Sequence, residues 1–254
     1  MSFIQKFAER VDTAAISATS IPQITQEQDF GVDEAYAIQA ASIDRRVQRG
    51  DPIVGIKMGF TSRAKMVQMG VSDLIWGRLT RSMIVEDGGF TEMSRYIHPR
   101  AEPEIAFLLR KPLSGVVTPL QALDAVGGVA CAIELIDSRY ENFKFSLADV
   151  VADNASSSGF VVGTWREPGT DLSNIGMVMN VDGRPVGYGS SAAILGDPVR
   201  ALVSAARVAG EAGLSLEPGM VVMAGAATAA IALEAGQHVR LEASGLGFCE
   251  FRIR

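Results

Sequence analysis

The sequence predicts an α+β chain, helical over its first fifth and predominantly β after about residue 80. Three observations carry this. Apolar residues recur at helical spacing near the start, short aliphatic runs punctuated by glycine follow, and one Asp-Gly step between two β-rich runs marks a hairpin.

Phe3, Ile4, Phe7, Ala8 and Val11 fall on one face of a helix, and Tyr36, Ala40, Ile43 and Val47 define a second that stops before Gly50. Strand-like runs come next: IVGIKMGF, SMIVEDGG, EIAFLL, ACAIELI and GFVVGTW. In MVMNVDGRPVG, Asp182-Gly183 suits a type I′ turn. Asp197 and Pro198, a cap and a first-turn proline, start a third helix through Val199, Leu202, Val203 and Ala206. GMVVMAG, HVRLEAS and GFCEFRI complete the β-rich part. The longest apolar run, Met220 to Leu233, is too short for a bilayer and reads as strand, turn and strand. We divide the chain into an N-terminal helical α/β portion, 1–80, and a β-rich catalytic core, 81–254, with no linker to sharpen the boundary.

A chain of 254 residues can bury a substantial core. A net charge of -6 without a basic cluster argues against nucleic acid and against an anionic membrane surface. Cys131 and Cys249 lie far apart in apolar contexts, and the start MSFIQKFAERVD carries acids where a signal peptide would be basic and then apolar. A reduced, cytoplasmic protein is expected.

The chemistry centres on three glutamates. Strand alternation puts Glu102 and Glu104 on one face, with Ile105 and Phe107 on the other, and Glu134 sits in a second apolar run. An isolated Glu-x-Glu fits the wet face of an edge strand better than a metal site; the third acid brings the two readings level, and the rest of the chain moves the balance further. Like charges about 4 Å apart repel by roughly 1 kcal/mol in water and roughly 4 kcal/mol at an effective dielectric near 20, so such a cluster needs a cation. Oxygen ligands suit Mg²⁺ or Mn²⁺. Zinc suits them less, since His98 and His238 are the only histidines and the cysteines form no paired motif.

Lys57, in IVGIKMGFTS, either snorkels to solvent or supplies positive charge and a proton to an enolate. The run SRYENFKFSLADVVADNASSSGF is dense in polar groups, Arg139, Lys144, Asp149, Asp153 and Asn154 among them, though serine and asparagine clusters ordinarily form turns and caps. GYGSSAAILG lacks the lysine of a phosphate loop.

Together KMGFTSRAKM, GRLT, HPRAEPEIAF, IELIDSRYENFKFSLADVVADNAS and GSSAAILG resemble the 4-oxalocrotonate (2-oxo-3-hexenedioate) decarboxylases, sisters of the 2-hydroxypentadienoate hydratases in the fumarylacetoacetate hydrolase superfamily. The resemblance runs from about Val54 to near the C-terminus. It implies a mixed β-roll core with an N-terminal α/β portion, Mg²⁺ or Mn²⁺ on Glu102, Glu104 and Glu134, Lys57 as the catalytic lysine and Ser156 beside the substrate. Lys144 and Arg139 are weaker candidates for substrate carboxylates. The implied reaction is decarboxylation of 2-oxo-3-hexenedioate to 2-hydroxypenta-2,4-dienoate in meta-cleavage of aromatic compounds, by a homo-oligomer that associates with the hydratase.

Hydratases of this pattern carry a Pro-Asp-Phe-Gly stretch whose acid handles the hydration proton. Here the stretch is Leu74, Ile75, Trp76 and Gly77, and isoleucine transfers no proton, which favours decarboxylation; Asp73 could compensate only through a different local backbone. The alternatives are a hydratase on the same scaffold and a non-catalytic scaffold for a partner hydratase. A pure scaffold has no need of buried acids.

Overall fold

The computed structural model describes residues 2–62, 67 and 73–254. Residues 63–66 of the KMGFTSRAKM motif lie outside the described residues. The two predicted N-terminal helices are α1 (Phe3–Ser17) and α2 (Val32–Gln48). Ser2 Oγ accepts the Gln5 N–H and caps α1, and the Glu34 carboxylate accepts the Gly31 N–H at the start of α2. Phe7, Ala8 and Val11 of α1 pack with Ala35 and Ile38 of α2, while Asp12 accepts hydrogen bonds from Arg45 and Arg49 across the pair.

The remaining chain builds two sheets. The larger contains β1 (Ile53–Gly59), β2 (Ile75–Thr80), β4 (Arg100–Leu109), β5 (Val126–Ile136), β6 (Ser157–Val162) and β9 (Val221–Met223) in the order β2-β1-β9-β4-β5-β6, with β10 (Ile231–Ala232) on β4. The smaller contains β3 (Phe90–Thr91), β7 (Gly176–Val181), β8 (Arg184–Ser190), β11 (His238–Ala243) and β12 (Gly247–Ile253) in the order β3-β12-β11-β7-β8. Pairing is mostly antiparallel, with β1 parallel to β9 and β3 to β12.

Asp182 and Gly183 have φ of 51° and 73°, the two positive values a type I′ turn requires, and they join β7 to β8 as predicted. Short helices α3 (Pro119–Asp124) and α4 (Leu147–Ala152) precede the long α5 (Pro198–Glu211), where Asp197 Oδ1 caps the Val199 N–H at 2.8 Å. The run SMIVEDGG forms no strand: residues 81–83 make a 3₁₀ turn, Ile84 bridges once to Phe160, and Gly88 turns back at φ 75°.

Alternation divides the apolar side chains between the two faces of the large sheet. Ile105, Phe107, Cys131, Ile133 and Leu135 join Val239, Leu241 and Phe251 of the small sheet and Ala205 of α5 in the main core. Cys131 and Cys249, remote in sequence, are both buried there as free thiols. The opposite face carries a smaller cluster, Leu79, Ala106, Ala132, Phe160 and Met223, and the site forms beside it. Among the described residues no helix is long and apolar enough to cross a membrane.

Candidate metal and catalytic site

β4 and β5 are neighbouring interior strands of the large sheet, and their register sets Glu102 directly opposite Glu134, with Glu104 opposite Ala132. Directly opposed residues share a face, as do residues two apart, so all three carboxylates project to one side. One oxygen from each lies within 4.8 Å of the others, the only such group of three among the described residues. Glu104 and Glu134 are fully buried and Glu102 is partly so.

β1 brings Lys57 onto the same face. It lies opposite Gly77 of β2 and beside Met223 of β9, is 4% exposed, and donates from Nζ to Glu134 Oε2 at 3.0 Å. Burial alone would pull its ammonium down; Glu134, Glu102 and Glu104 outweigh that and hold it above the ordinary lysine range. Glu104 goes the other way: burial, then repulsion from Glu134, pushes its carboxyl well above the usual carboxylate range.

The donor set fits a hard divalent cation. Glu104 Oε2 accepts the Gly225 N–H at 2.8 Å and Glu134 Oε2 accepts from Lys57, yet Glu104 Oε1 and Glu134 Oε1 are buried with no hydrogen-bond partner among the described residues. Two orphaned carboxylate oxygens in one oxygen-only cluster are costly unless a cation meets them. Gly225 is a residue that sequence reasoning missed. It sits at φ 104°, and a Cβ there would lie 2.1 Å from Thr61 Oγ1, so only glycine lets its amide reach Glu104.

Ser156 ends an unusual turn. Asn154, Ala155 and Ser156 have φ of 53°, 51° and 60°, three consecutive left-handed residues without a glycine. Each costs roughly 1–3 kcal/mol, so the surroundings must enforce the turn. Asn154 does so from inside: its Oδ1 accepts the Arg78 N–H at 2.7 Å and its Nδ2 donates to the Arg78 carbonyl at 2.8 Å. The turn seats against Gly77, Lys57's cross-strand neighbour, where a Cβ would meet the Asn154 carbonyl at 2.4 Å. Ser156 Oγ is buried and unpartnered among the described residues.

Replacing Asn154 by alanine removes both buried hydrogen bonds, worth about 1–3 kcal/mol, and frees the turn. The expected result is a fall in kcat/KM of about 10- to 100-fold with metal affinity unchanged, read by steady-state kinetics beside metal titration calorimetry. A parallel loss of metal affinity would show instead that the turn supports the carboxylates.

The other predicted residues are placed elsewhere. Arg139 is buried and engaged by Asp153, Ser157 and Ser158, which takes up its guanidinium inside the protein. Lys144 is partly buried at the end of the 3₁₀ turn of residues 141–143, and its ammonium forms no ion pair among the described residues. Ile75 lies two residues from Gly77 on Lys57's face, opposite Gly59, and packs with Ala152 and Ala155. Asp73 does not take its place: its carboxylate is exposed and paired with Arg207 of α5 at 2.8 Å.

Residues 53–254 match the family model for the fumarylacetoacetate (FAA) hydrolase C-terminal domain. A 4-oxalocrotonate decarboxylase of Pseudomonas sp is 60% identical over 98% of this chain and 97% of its own. A 2-hydroxyhexa-2,4-dienoate hydratase of Comamonas testosteroni is 33% identical over 99% of this chain and 97% of its own. Among solved structures, 4-oxalocrotonate decarboxylase from Pseudomonas putida G7, complexed with magnesium and adipate, superposes with a TM-score of 0.95 at 36% identity, covering 99% of this chain and 97% of that one. With its sheets, its N-terminal helices and nearly its whole length accounted for in this way, the chain belongs to the fumarylacetoacetate hydrolase family, on the branch that holds the 4-oxalocrotonate decarboxylases.

Proposed function

We propose that this chain is a divalent-metal carboxy-lyase that converts 4-oxalocrotonate (2-oxo-3-hexenedioate) to 2-hydroxypenta-2,4-dienoate and CO₂. One observation carries the choice of reaction: identity to a 4-oxalocrotonate decarboxylase is 60% across nearly the whole chain, against 33% to a hydratase. Ile75 supports it, because water addition needs a proton-transferring group on this face and isoleucine provides none.

Glu102, Glu104 and Glu134 are the residues that would hold Mg²⁺ or Mn²⁺. When bound, the cation supplies Lewis-acid polarisation to an α-keto acid. In the reaction the C5–C6 bond breaks, CO₂ leaves, and its electron pair moves through C3=C4 to the C2 oxygen, where negative charge develops. Lys57, seated against Glu134 at 3.0 Å, holds a positive charge for that oxygen and carries a proton it can deliver there. Three carboxylates and a divalent cation sum to -1, and the lysine brings the site to zero before a dianionic substrate enters. Ser156 offers a hydroxyl with no partner among the described residues to a substrate oxygen. Ile75 keeps the adjacent wall apolar and free of a competing acid.

The test is a metal-depleted assay with 4-oxalocrotonate, following substrate absorbance and CO₂ before and after Mg²⁺ or Mn²⁺ is added. Metal-dependent CO₂ release is expected; metal binding with water addition and no CO₂ would assign a hydratase. Ile75→Asp probes the same choice from the residue side. We expect weaker decarboxylation and a gain of hydration of 2-hydroxypenta-2,4-dienoate, measured by product chromatography. Hydration at the wild-type level would remove Ile75 from the argument.

The same reading has the chain act in the cytoplasm as a homo-oligomer that associates with a 2-hydroxypentadienoate hydratase, the reaction that consumes its dienol product. Co-purification of the two and their joint elution on size exclusion would test it.

A further inference from the structure

We propose that a second site, separate from the carboxylate cluster, binds a small oxyanion, a carboxylate or phosphate group, in the cleft between the α1–α2 pair and the β-rich core. The cleft has a volume of about 410 Å³, and four arginines line it: Arg46 and Arg49 from the end of α2, Arg95 from the segment before β4, and Arg139 from the segment after β5. None of Lys57, Glu102, Glu104, Glu134 or Ser156 lines it.

Two of the arginines are already satisfied. Arg49 donates to both oxygens of Asp12, at 2.8 and 2.7 Å, and Arg139 is taken by Asp153. The two aspartates in the lining are occupied as well. Asp137 accepts the Ile97 and His98 amides at 2.8 Å each, and Asp51 accepts the Ser82 amide and hydroxyl at 2.8 and 2.6 Å.

Arg46 and Arg95 are left without a close carboxylate. Arg46 is the sharper case. Its side chain is 18% exposed, its guanidinium makes no hydrogen bond to any described residue, and its one carboxylate contact, Nε to Asp12 Oδ1, is 4.0 Å long. Asp12 already accepts from Arg45 and Arg49, which leaves it little capacity for Arg46. Burial, then the neighbouring Arg139 charge, pulls the Arg46 guanidinium down to about 10.

A half-buried guanidinium with five unused donors beside a second positive group is unfavourable in an empty cleft. It becomes favourable when a planar or tetrahedral oxyanion accepts two parallel N–H bonds from its fork. Arg95 gives one N–H to the Ser82 carbonyl at 3.0 Å and keeps others for the same ligand. The cleft therefore combines the charge, the spare donors and the volume for one small anion, and its walls come from both parts of the chain.

The test is calorimetric titration of the metal-free full-length protein at low salt with inorganic phosphate and, separately, with succinate. Working without metal leaves no cation among the three glutamates for either probe to bind, so that site does not compete. Saturable binding of one anion per chain is expected, weakened at least about tenfold by Arg46→Gln and by Arg95→Gln and unchanged by Arg207→Gln, whose partners lie elsewhere. The two probes report whether phosphate or carboxylate geometry fits. Arg95→Gln, at the exposed rim, keeps the test valid if Arg46→Gln folds poorly. Absence of saturable binding by both anions, or binding that neither variant weakens, would overturn the proposal. A change of oligomeric state in the variants without anion binding would overturn it too, assigning the arginines to a second copy of the chain.

Discussion

Replacing Glu104 with glutamine is expected to abolish metal binding and decarboxylation while leaving the metal-free fold as stable as the wild type or more so. The two halves of this result have one cause. In the metal-free protein, burial and Glu134 hold the Glu104 carboxyl well above its ordinary range, so the neutral form dominates around and above the pH where a free glutamate ionises. Glutamine copies that neutral form and can still accept the Gly225 N–H. What it cannot do is give a cation a negative oxygen. Saturating Mg²⁺ at about 100 times Kd should stabilise the wild type by about 2.7 kcal/mol and the variant not at all, read as a Tm shift.

The pH dependence follows with a definite sign. A carboxyl whose folded pKa lies above its unfolded value contributes stability that is fully present below the unfolded value and is lost as pH rises through the folded one. The metal-free wild type should therefore lose stability as pH rises above the ordinary glutamate range, and Glu104→Gln should flatten that loss. Metal binding requires the carboxylate, so affinity rises with pH and protons are released on binding, seen as a dependence of calorimetric heat on buffer ionisation enthalpy. A variant that kept wild-type metal affinity, or a wild type whose affinity did not change with pH, would remove Glu104 from the metal site.

What was legible in the sequence was whatever a strand's two-residue period determines. Glu102, Glu104 and Glu134 share a face because of alternation and register, and an acid on an apolar face demands a cation wherever the fold puts it. The Asp182-Gly183 hairpin and the Asp197-Pro198 helix start are equally local, set by turn and cap chemistry. Gly225 and Asn154 were not legible. Their roles depend on which backbone each approaches, Thr61 and Glu104 for one and Gly77 and Arg78 for the other, and such contacts join segments remote in the chain. Arg139 shows the converse: its position near the glutamates in sequence points to a substrate carboxylate, whereas folding delivers Asp153 to it first. The SMIVEDGG run has strand composition, but past the Ile84 bridge its backbone makes only scattered bonds, Val85 N–H to the Phe160 carbonyl and Gly88 N–H to the Glu250 carbonyl, and it turns at Gly88 before a ladder can form.

Lys57→Ala separates the lysine's electrostatic role from its chemical one. In the metal-free protein the substitution leaves Glu134, fully buried, without its cationic partner, and breaking a buried pair on one side typically costs about 3–5 kcal/mol. The metal-free variant should therefore melt well below the wild type at neutral pH. Metal should recover most of that loss, because a cation among the three carboxylates replaces the charge that Glu134 has lost; metal affinity should be unchanged or tighter, since the nearby positive charge is gone. Activity should not recover. A positioned general acid contributes about 10²–10⁴-fold, so kcat should fall by about that much even at saturating metal, and a small alkylamine that fills the space vacated by the side chain should restore part of it. Full activity in the metal-loaded variant would reduce Lys57 to a counter-ion that stabilises the fold, and a loss of metal binding instead would make it part of the metal site's architecture. Stability rescued by metal without rescue of turnover is the pattern that assigns the lysine to the reaction.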